Sequence, residues 1–249
     1  MPRQARKKSE SGIYHVMLRG INQQQIFEDS EDYQKFLQVL MDCKAISEFK
    51  LYAYCLMGNH IHLLVKEENE PIEQIFKRIG GRFVYWYNIK YNRVGHLFQD
   101  RFKSEPVDTD SYFLTVIRYI HQNPIKAGIC KKIDAYEYSS YTDYIHKRDS
   151  IDFDLVLDML PIDDFIEFNN QLESICCLDI SEKLQTVRVT DEQARRLIQK
   201  LTKCNNVSEF QNLNSKLRDK YLKVLRKNGL SIRQISRLTG TSFNVVRKF

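Results

Sequence analysis

The sequence predicts an α+β fold with a mostly antiparallel sheet and helices packed on it, followed by a small all-α module, and three observations carry that prediction. Over the first half, short segments rich in apolar, β-branched and aromatic residues alternate with segments of helical period in the order strand, helix, hairpin, helix, strand, helix. A two-residue Gly58-Asn59 link joins two of the strands, as a tight antiparallel hairpin requires. Past residue 180 the strand pattern disappears, and basic residues with helix-capping pairs take its place.

The first strand is read over residues 13–19, where Ile13, Tyr14, Val16 and Leu18 stand between Gly12 and Gly20. A helix follows from about Ser30 to Phe49. Its start is rich in Asp and Glu, which suits the helix dipole, and Tyr33, Phe36, Leu37, Leu40, Met41 and Ile46 recur at helical spacing. Residues 51–57 and 60–65 form the hairpin. Pro71 sits where a first helical turn tolerates it and opens a helix through Tyr91, weakened in the middle by Gly80 and Gly81. A further strand is expected over His96–Val107. Asp108 and Asp110 offer N-cap oxygens to a helix carrying Phe113, Leu114, Ile117 and Ile120 on its apolar side. Pro124 should kink or end that helix near Asn123. In the tail, Thr190 with Gln193 and Ser231 with Gln234 have capping-box spacing, and Asn228-Gly229 and Gly240 supply stops.

Composition narrows the function. The chain has 249 residues, 43% of them hydrophobic and 12% aromatic, so one large or two modest folded domains are expected. No apolar run spans a bilayer, and the polar, basic opening Met1–Glu10 reads as neither a signal peptide nor an anchor, so no membrane partner and a cytoplasmic location are expected. Six cysteines without a CxxC pair argue against zinc ribbons and disulfide stapling. Charge divides the chain: 21 basic residues against 18 acidic over 1–147, 1 against 9 over 148–180, and 16 against 5 over 181–249. The acidic stretch reads as a spacer or docking face, and the basic tail as a binder of polyanions through counterion release. The expected domains are therefore 1–147, an acidic connection over 148–185, and a helical module over 186–249.

Two groups of residues bear chemistry. His60 and His62 alternate along a strand, so both project from one face about 6.6 Å apart and can converge on a cation with open coordination positions. The pair alone is equally compatible with two hydrogen-bonded strand histidines. Leu64-Val65 stands where HxHxDH zinc hydrolases carry Asp-His, and the cupin glycines and second histidine box are missing although Glu67 is suitably spaced. In the second group, Tyr119 and Asn123 lie one helical turn apart, so a phenol nucleophile and an amide ligand can share a face. Tyr119 equally reads as one of fourteen tyrosines, packed on the sheet.

Gly58-Asn59-His60-Ile61-His62-Leu63-Leu64-Val65 and Tyr119-Ile120-His121-Gln122-Asn123-Pro124-Ile125-Lys126-Ala127-Gly128 together resemble the single-tyrosine HUH transposases (IS200-like), specifically the branch associated with repetitive extragenic palindromes. The resemblance extends over residues 1–147. It includes Tyr14-His15-Val16 with Arg19-Gly20-Ile21-Asn22, and the block Gly95–Lys103. It implies a ferredoxin-like or RRM-like sheet carrying His60 and His62, Tyr119 as nucleophile on a facing helix, Asn123 as third ligand, and Mg²⁺ or Mn²⁺ as the ion. The implied reaction cleaves and rejoins hairpin-forming single-stranded DNA through a 5′-phosphotyrosine, by a monomer or homodimer. The alternative is a catalytically silent DNA-binding regulator on the same fold.

Arg19, Asn22, Arg101 and Lys103 are candidate DNA contacts within these blocks, with the basic arm Arg3, Arg6, Lys7 and Lys8 beside them. Arg82, Tyr85, Trp86, Tyr87, Lys90, Tyr91 and Arg93 interleave rings with cations, a pattern shared by single-strand binders and by ordinary core packing. Residues 230–248 read as helix, glycine turn, helix, the arrangement in which a second helix enters the major groove of duplex DNA. They also resemble the initiator-type domain appended to some of these transposases. Ser242, Asn244, Arg247 and Lys248 are its candidate contacts.

Overall fold

A computed structural model describes residues 6–21, 24–171, 177–178, 191–204 and 207–249. The chain divides into two compact units, Met1–Asp179 and Ile180–Phe249. In the first unit the order is β1 (Ile13–Arg19), α1 (Ser30–Ser47), β2 (Lys50–Met57), β3 (His60–Lys66), α2 (Ile72–Lys90), β4 (Lys103–Pro106) and α3 (Asp110–Lys126). The four strands form one antiparallel sheet in the order β2-β3-β1-β4, the ferredoxin-like arrangement. Three short helices follow, α4 (Tyr141–Ile145), α5 (Asp154–Met159) and α6 (Ile162–Asn170).

Local chemistry explains most boundaries. Asp29 caps α1 by accepting from the backbone N–H of Asp32, whose own carboxylate returns the bond in a capping box. Gly20 ends β1 where a Cβ would collide with the backbone carbonyl of Gln24, so the turn demands glycine. Glu67 accepts from the N–H of Ile72 at the start of α2 and so serves a helix end.

Four expectations are corrected. The strand expected over 96–107 shrinks to 103–106; residues 96–102 instead run as a loop touching β1 through a Gly20–Phe98 bridge. Thr109 caps α3, while Asp108 accepts from Ser9, Glu10 and Ser11 and ties down the N-terminal segment. The helix does not end at Asn123: α3 runs through Pro124 to Lys126, because residues 116–124 are buried and α6 packs against them. Ile46 is 52% exposed rather than on the apolar side of α1.

The acidic stretch belongs to this unit over its described part. Val156 and Phe165 are fully buried in the core cluster, and Gln122 donates to the carbonyls of Asn169 and Gln171. Asp149, Asp154, Asp158, Asp163, Asp164 and Glu167 are exposed, Asp152 pairs with Lys44 and Lys50, and α6 packs on α3. Among the described residues no helix is long and apolar enough to cross a membrane.

The second unit is helical over its described residues: α7 (Asp191–Thr202), α8 (Val207–Gln211), α9 (Ser215–Lys227), α10 (Ile232–Thr239) and α11 (Phe243–Val246). Ala194, Phe210, Leu222, Leu225, Ile235 and Val246 form its separate core. Ser231 caps α10 by accepting from the N–H of Gln234, and Gly240 ends it at φ +67°. The other expected capping pair begins at Thr190, outside the described residues.

Candidate active site

Strand register decides which side chains share a face. His62 pairs with Met17 and Cys55, His60 with Arg19 and Met57, and His15 with both Leu64 and Glu105. Because paired residues project to the same side, one face of the sheet carries His15 and Arg19 from β1, His60 and His62 from β3, and Lys103 and Glu105 from β4. The opposite face carries Val16, Leu18, Ile61, Leu63 and Val65, all buried. Helix α3 packs on β2 and β3 and brings Tyr119 to the polar face.

The rings of His60 and His62 lie 5.1 Å apart, centre to centre. The Tyr119 ring is edge-on to both neighbouring imidazoles, 5.6 Å from His62 and 5.8 Å from His15. The Lys126 ammonium stands 4.7 Å from the centre of the Tyr119 ring. One turn on from Tyr119, the Asn123 side-chain amide donates to the Tyr119 carbonyl, which leaves its oxygen as the atom with lone pairs suited to a cation. Residues 60, 62, 119 and 123 are thus held by one hairpin strand and the helix covering it.

His62 is fully buried, and burial together with the nearby His15 and His60 rings holds its pKa well below 6.5. It is therefore neutral, the form that ligates metals. Its Nδ1 is 3.0 Å from Nε2 of His15, whereas its Nε2 is buried with no hydrogen-bond partner. An orphaned, buried imidazole nitrogen beside a second imidazole fits a divalent ion, and the helix that packs against it carries the Asn123 amide one turn from Tyr119. Among the described residues no group of three His, Cys, Asp or Glu is arranged to hold a metal. The fit therefore rests on two imidazoles and a neutral amide, a set that leaves positions for phosphate oxygens and water.

Sequence reasoning gave no role to His15 or Glu105. His15 Nδ1 is 2.9 Å from Glu105 Oε1, and the same carboxylate oxygen accepts from the Tyr112 hydroxyl and the Leu178 N–H, both at 2.8 Å. Burial acts to raise the Glu105 pKa, but the bonds from His15, Leu178 and Tyr112 outweigh it and hold the carboxyl below its usual range. The alternation of His15, Met17 and Arg19 was visible in β1, but pairing with β3 and β4 was not.

Three of the candidate DNA contacts come together. Arg19, Arg101 and Lys103 line one cavity of about 50 Å³ with Met17, Gln99 and Asp100. Asn22 lies outside the described residues. Arg6 is engaged by the fold, stacking 3.7 Å from the centre of the Phe102 ring and bonding to Glu73 and the Phe102 carbonyl. The ring-and-cation series on α2 is split: Tyr87 is buried and Lys90 is held by Asp29, Glu31 and Asp32, while Tyr85 is 71% exposed. In the second unit Ser242, Asn244, Arg247 and Lys248 are all exposed, on and just beyond α11.

Residues 8–123, a span that includes His15, His60, His62, Glu105, Tyr119 and Asn123, match the family model described as IS200-like transposase. Among solved structures the chain is similar to a REP-associated tyrosine transposase bound to a REP hairpin. The TM-score is 0.53 at 17% identity, covering 59% of this chain and 87% of that one, a likeness of fold. A protein described as a candidate transposase from Deinococcus radiodurans R1 also matches, with a TM-score of 0.35 at 17% identity, covering 49% of this chain and 97% of that one. No curated protein matches the chain.

Proposed function

We propose that this protein, whose residues 8–123 match the IS200-like transposase family model, cleaves and rejoins single-stranded DNA, with Tyr119 as nucleophile and His60, His62 and Asn123 as ligands of Mg²⁺ or Mn²⁺. The observation that carries this reading is the Tyr119 ring lying 5.6 Å from the imidazole whose buried Nε2 has no hydrogen-bond partner. A divalent ion held there supplies a positive charge against the developing charge on a scissile phosphate. The Tyr119 oxygen attacks phosphorus, forming a phosphotyrosine with the 5′ side and releasing a 3′-hydroxyl. The bond energy is kept in the ester, so a later hydroxyl can displace the tyrosine and rejoin the strand. Lys126, whose ammonium stands over the Tyr119 ring, adds positive charge beside the attacking residue. Arg19, Arg101 and Lys103 contact the phosphate backbone beside the site. Hairpin-forming DNA is the substrate class, a reading supported by the REP hairpin bound to the structurally similar transposase.

The helical unit is proposed to hold duplex DNA as a helix-turn-helix module. Supporting this, α10 and α11 are joined through Gly240, and Lys216, Lys220, Lys223 and Lys227 recur at helical spacing on the exposed side of α9. A cytoplasmic location accords with DNA as the partner.

The deciding experiment incubates the protein with Mn²⁺ and an end-labelled hairpin oligonucleotide, then resolves it under denaturing conditions. A labelled covalent adduct is expected, lost in Tyr119→Phe with reversible DNA binding retained. Reversible binding without any adduct in the wild type overturns the enzymatic reading in favour of a DNA-binding regulator.

A further inference from the structure

The chain Glu105, His15, His62 has a direction, and that direction bears on metal binding. A carboxylate only accepts hydrogen bonds. Oε1 of Glu105 already receives the Tyr112 hydroxyl and the Leu178 N–H, and it lies 2.9 Å from His15 Nδ1. His15 Nδ1 therefore carries a proton and donates it. In a neutral imidazole this leaves Nε2 of His15 as an acceptor, and the atom 3.0 Å away is Nδ1 of His62. His62 in turn must carry its proton on Nδ1. Its remaining nitrogen, Nε2, is then a bare lone pair, and it is the buried atom with no hydrogen-bond partner. With both rings neutral, reversing the polarity would require a proton on Glu105, whose carboxyl is held below its usual range.

We propose that Glu105 and His15 are positioning residues that fix the tautomer of His62, presenting its Nε2 lone pair to a divalent cation before the cation arrives. This rests on His62 being a metal ligand, as proposed above. The relay is built across three strands: β4 supplies the carboxylate, β1 the bridging imidazole and β3 the ligand. Both imidazoles are fully buried, so water does not compete for the two bonds. An imidazole free in solution divides between tautomers and orientations; one held at Nδ1 by an oriented acceptor does not, and removing such outer partners typically lowers metal affinity by about 10–100-fold.

The test has two readouts. In the metal-free wild type, ¹⁵N NMR of the histidine side chains is expected to show His15 and His62 both protonated at Nδ1 and bare at Nε2. Mn²⁺ binding followed by calorimetry is expected to weaken about 10–100-fold in Glu105→Leu and His15→Phe. Glu105→Gln, whose amide oxygen can still accept from His15, should restore most of the affinity. His62→Gln serves as the separate check on the ligand itself, and unchanged Mn²⁺ affinity in that variant overturns the metal reading. A proton on His62 Nε2 in the metal-free protein, or full Mn²⁺ affinity in a folded Glu105→Leu, overturns the positioning role while leaving His62 as a ligand.

Discussion

His121 should make the first unit sensitive to acid by an amount the structure allows to be worked out. The ring is fully buried between Asn169 Oδ1 at 3.0 Å and Ser140 Oγ at 2.9 Å, and burial lowers its pKa from 6.5 to about 4. In the unfolded chain the imidazole takes up a proton below pH 6.5, whereas in the folded chain it does so only near 4. The unfolded state therefore binds more protons in that window. Stability is fully present above pH 6.5 and is lost as the pH falls toward 4. At about 1.4 kcal/mol per pH unit, His121 alone removes about 2 kcal/mol between pH 7.5 and 5.0. Urea denaturation can follow this through the fluorescence of Trp86, the chain's single tryptophan, which lies in α2 of the same unit. With an m-value of about 2 kcal/mol per molar, the wild-type midpoint should drop by about 1 M more than that of His121→Gln over the same pH change. His62, also depressed by burial, acts in the same direction in both proteins and cancels in the comparison. Equal pH sensitivity in the wild type and the variant would refute the assignment of a proton-excluding site to His121.

Other perturbations address separate parts of the molecule. Phe165→Ala removes a fully buried ring stacked 4.5 Å from Tyr144, and it should lower the Trp86-reported stability by about 3–5 kcal/mol; a loss below about 1 kcal/mol would mean that the acidic stretch does not support the core. Gly240→Ala places a Cβ at φ +67° against the side chains of Val207 and Gln211, so it should destabilise the helical unit by at least about 1 kcal/mol, read as faster amide exchange in α10. Lys220→Ala combined with Lys223→Ala should flatten the dependence of log Kd for duplex DNA on log salt by about 2, whereas an unchanged slope would remove α9 from the DNA-binding surface.

Much of the fold was legible because it depends on neighbours in sequence. The apolar, β-branched and aromatic runs at residues 13–19, 51–57 and 60–65, and the Gly-Asn link, are local signals, and those strands stand where they put them. The loop over 96–102 was misread because apolar and aromatic residues such as Leu97, Phe98 and Phe102 mark buried surface, whether the backbone pairs as a strand or packs as a loop. Pro124 misled for the complementary reason. Its local penalty is real, but burial of α3 between the sheet and the acidic stretch outweighs one missing hydrogen bond.

By itself the sequence determined the elements, their order, the shared face of His60 and His62, and the one-turn spacing of Tyr119 and Asn123, since each is fixed by a helical or strand period. Tertiary structure alone decided that Tyr119 packs against His62, that Arg19, Arg101 and Lys103 line one cavity, and that Glu105 and His15 stand behind His62. Those contacts join residues up to 90 positions apart. No periodicity encodes them: they exist only once β1 has paired with β3 on one side and β4 on the other, which is settled by burying the opposite, apolar face of the sheet.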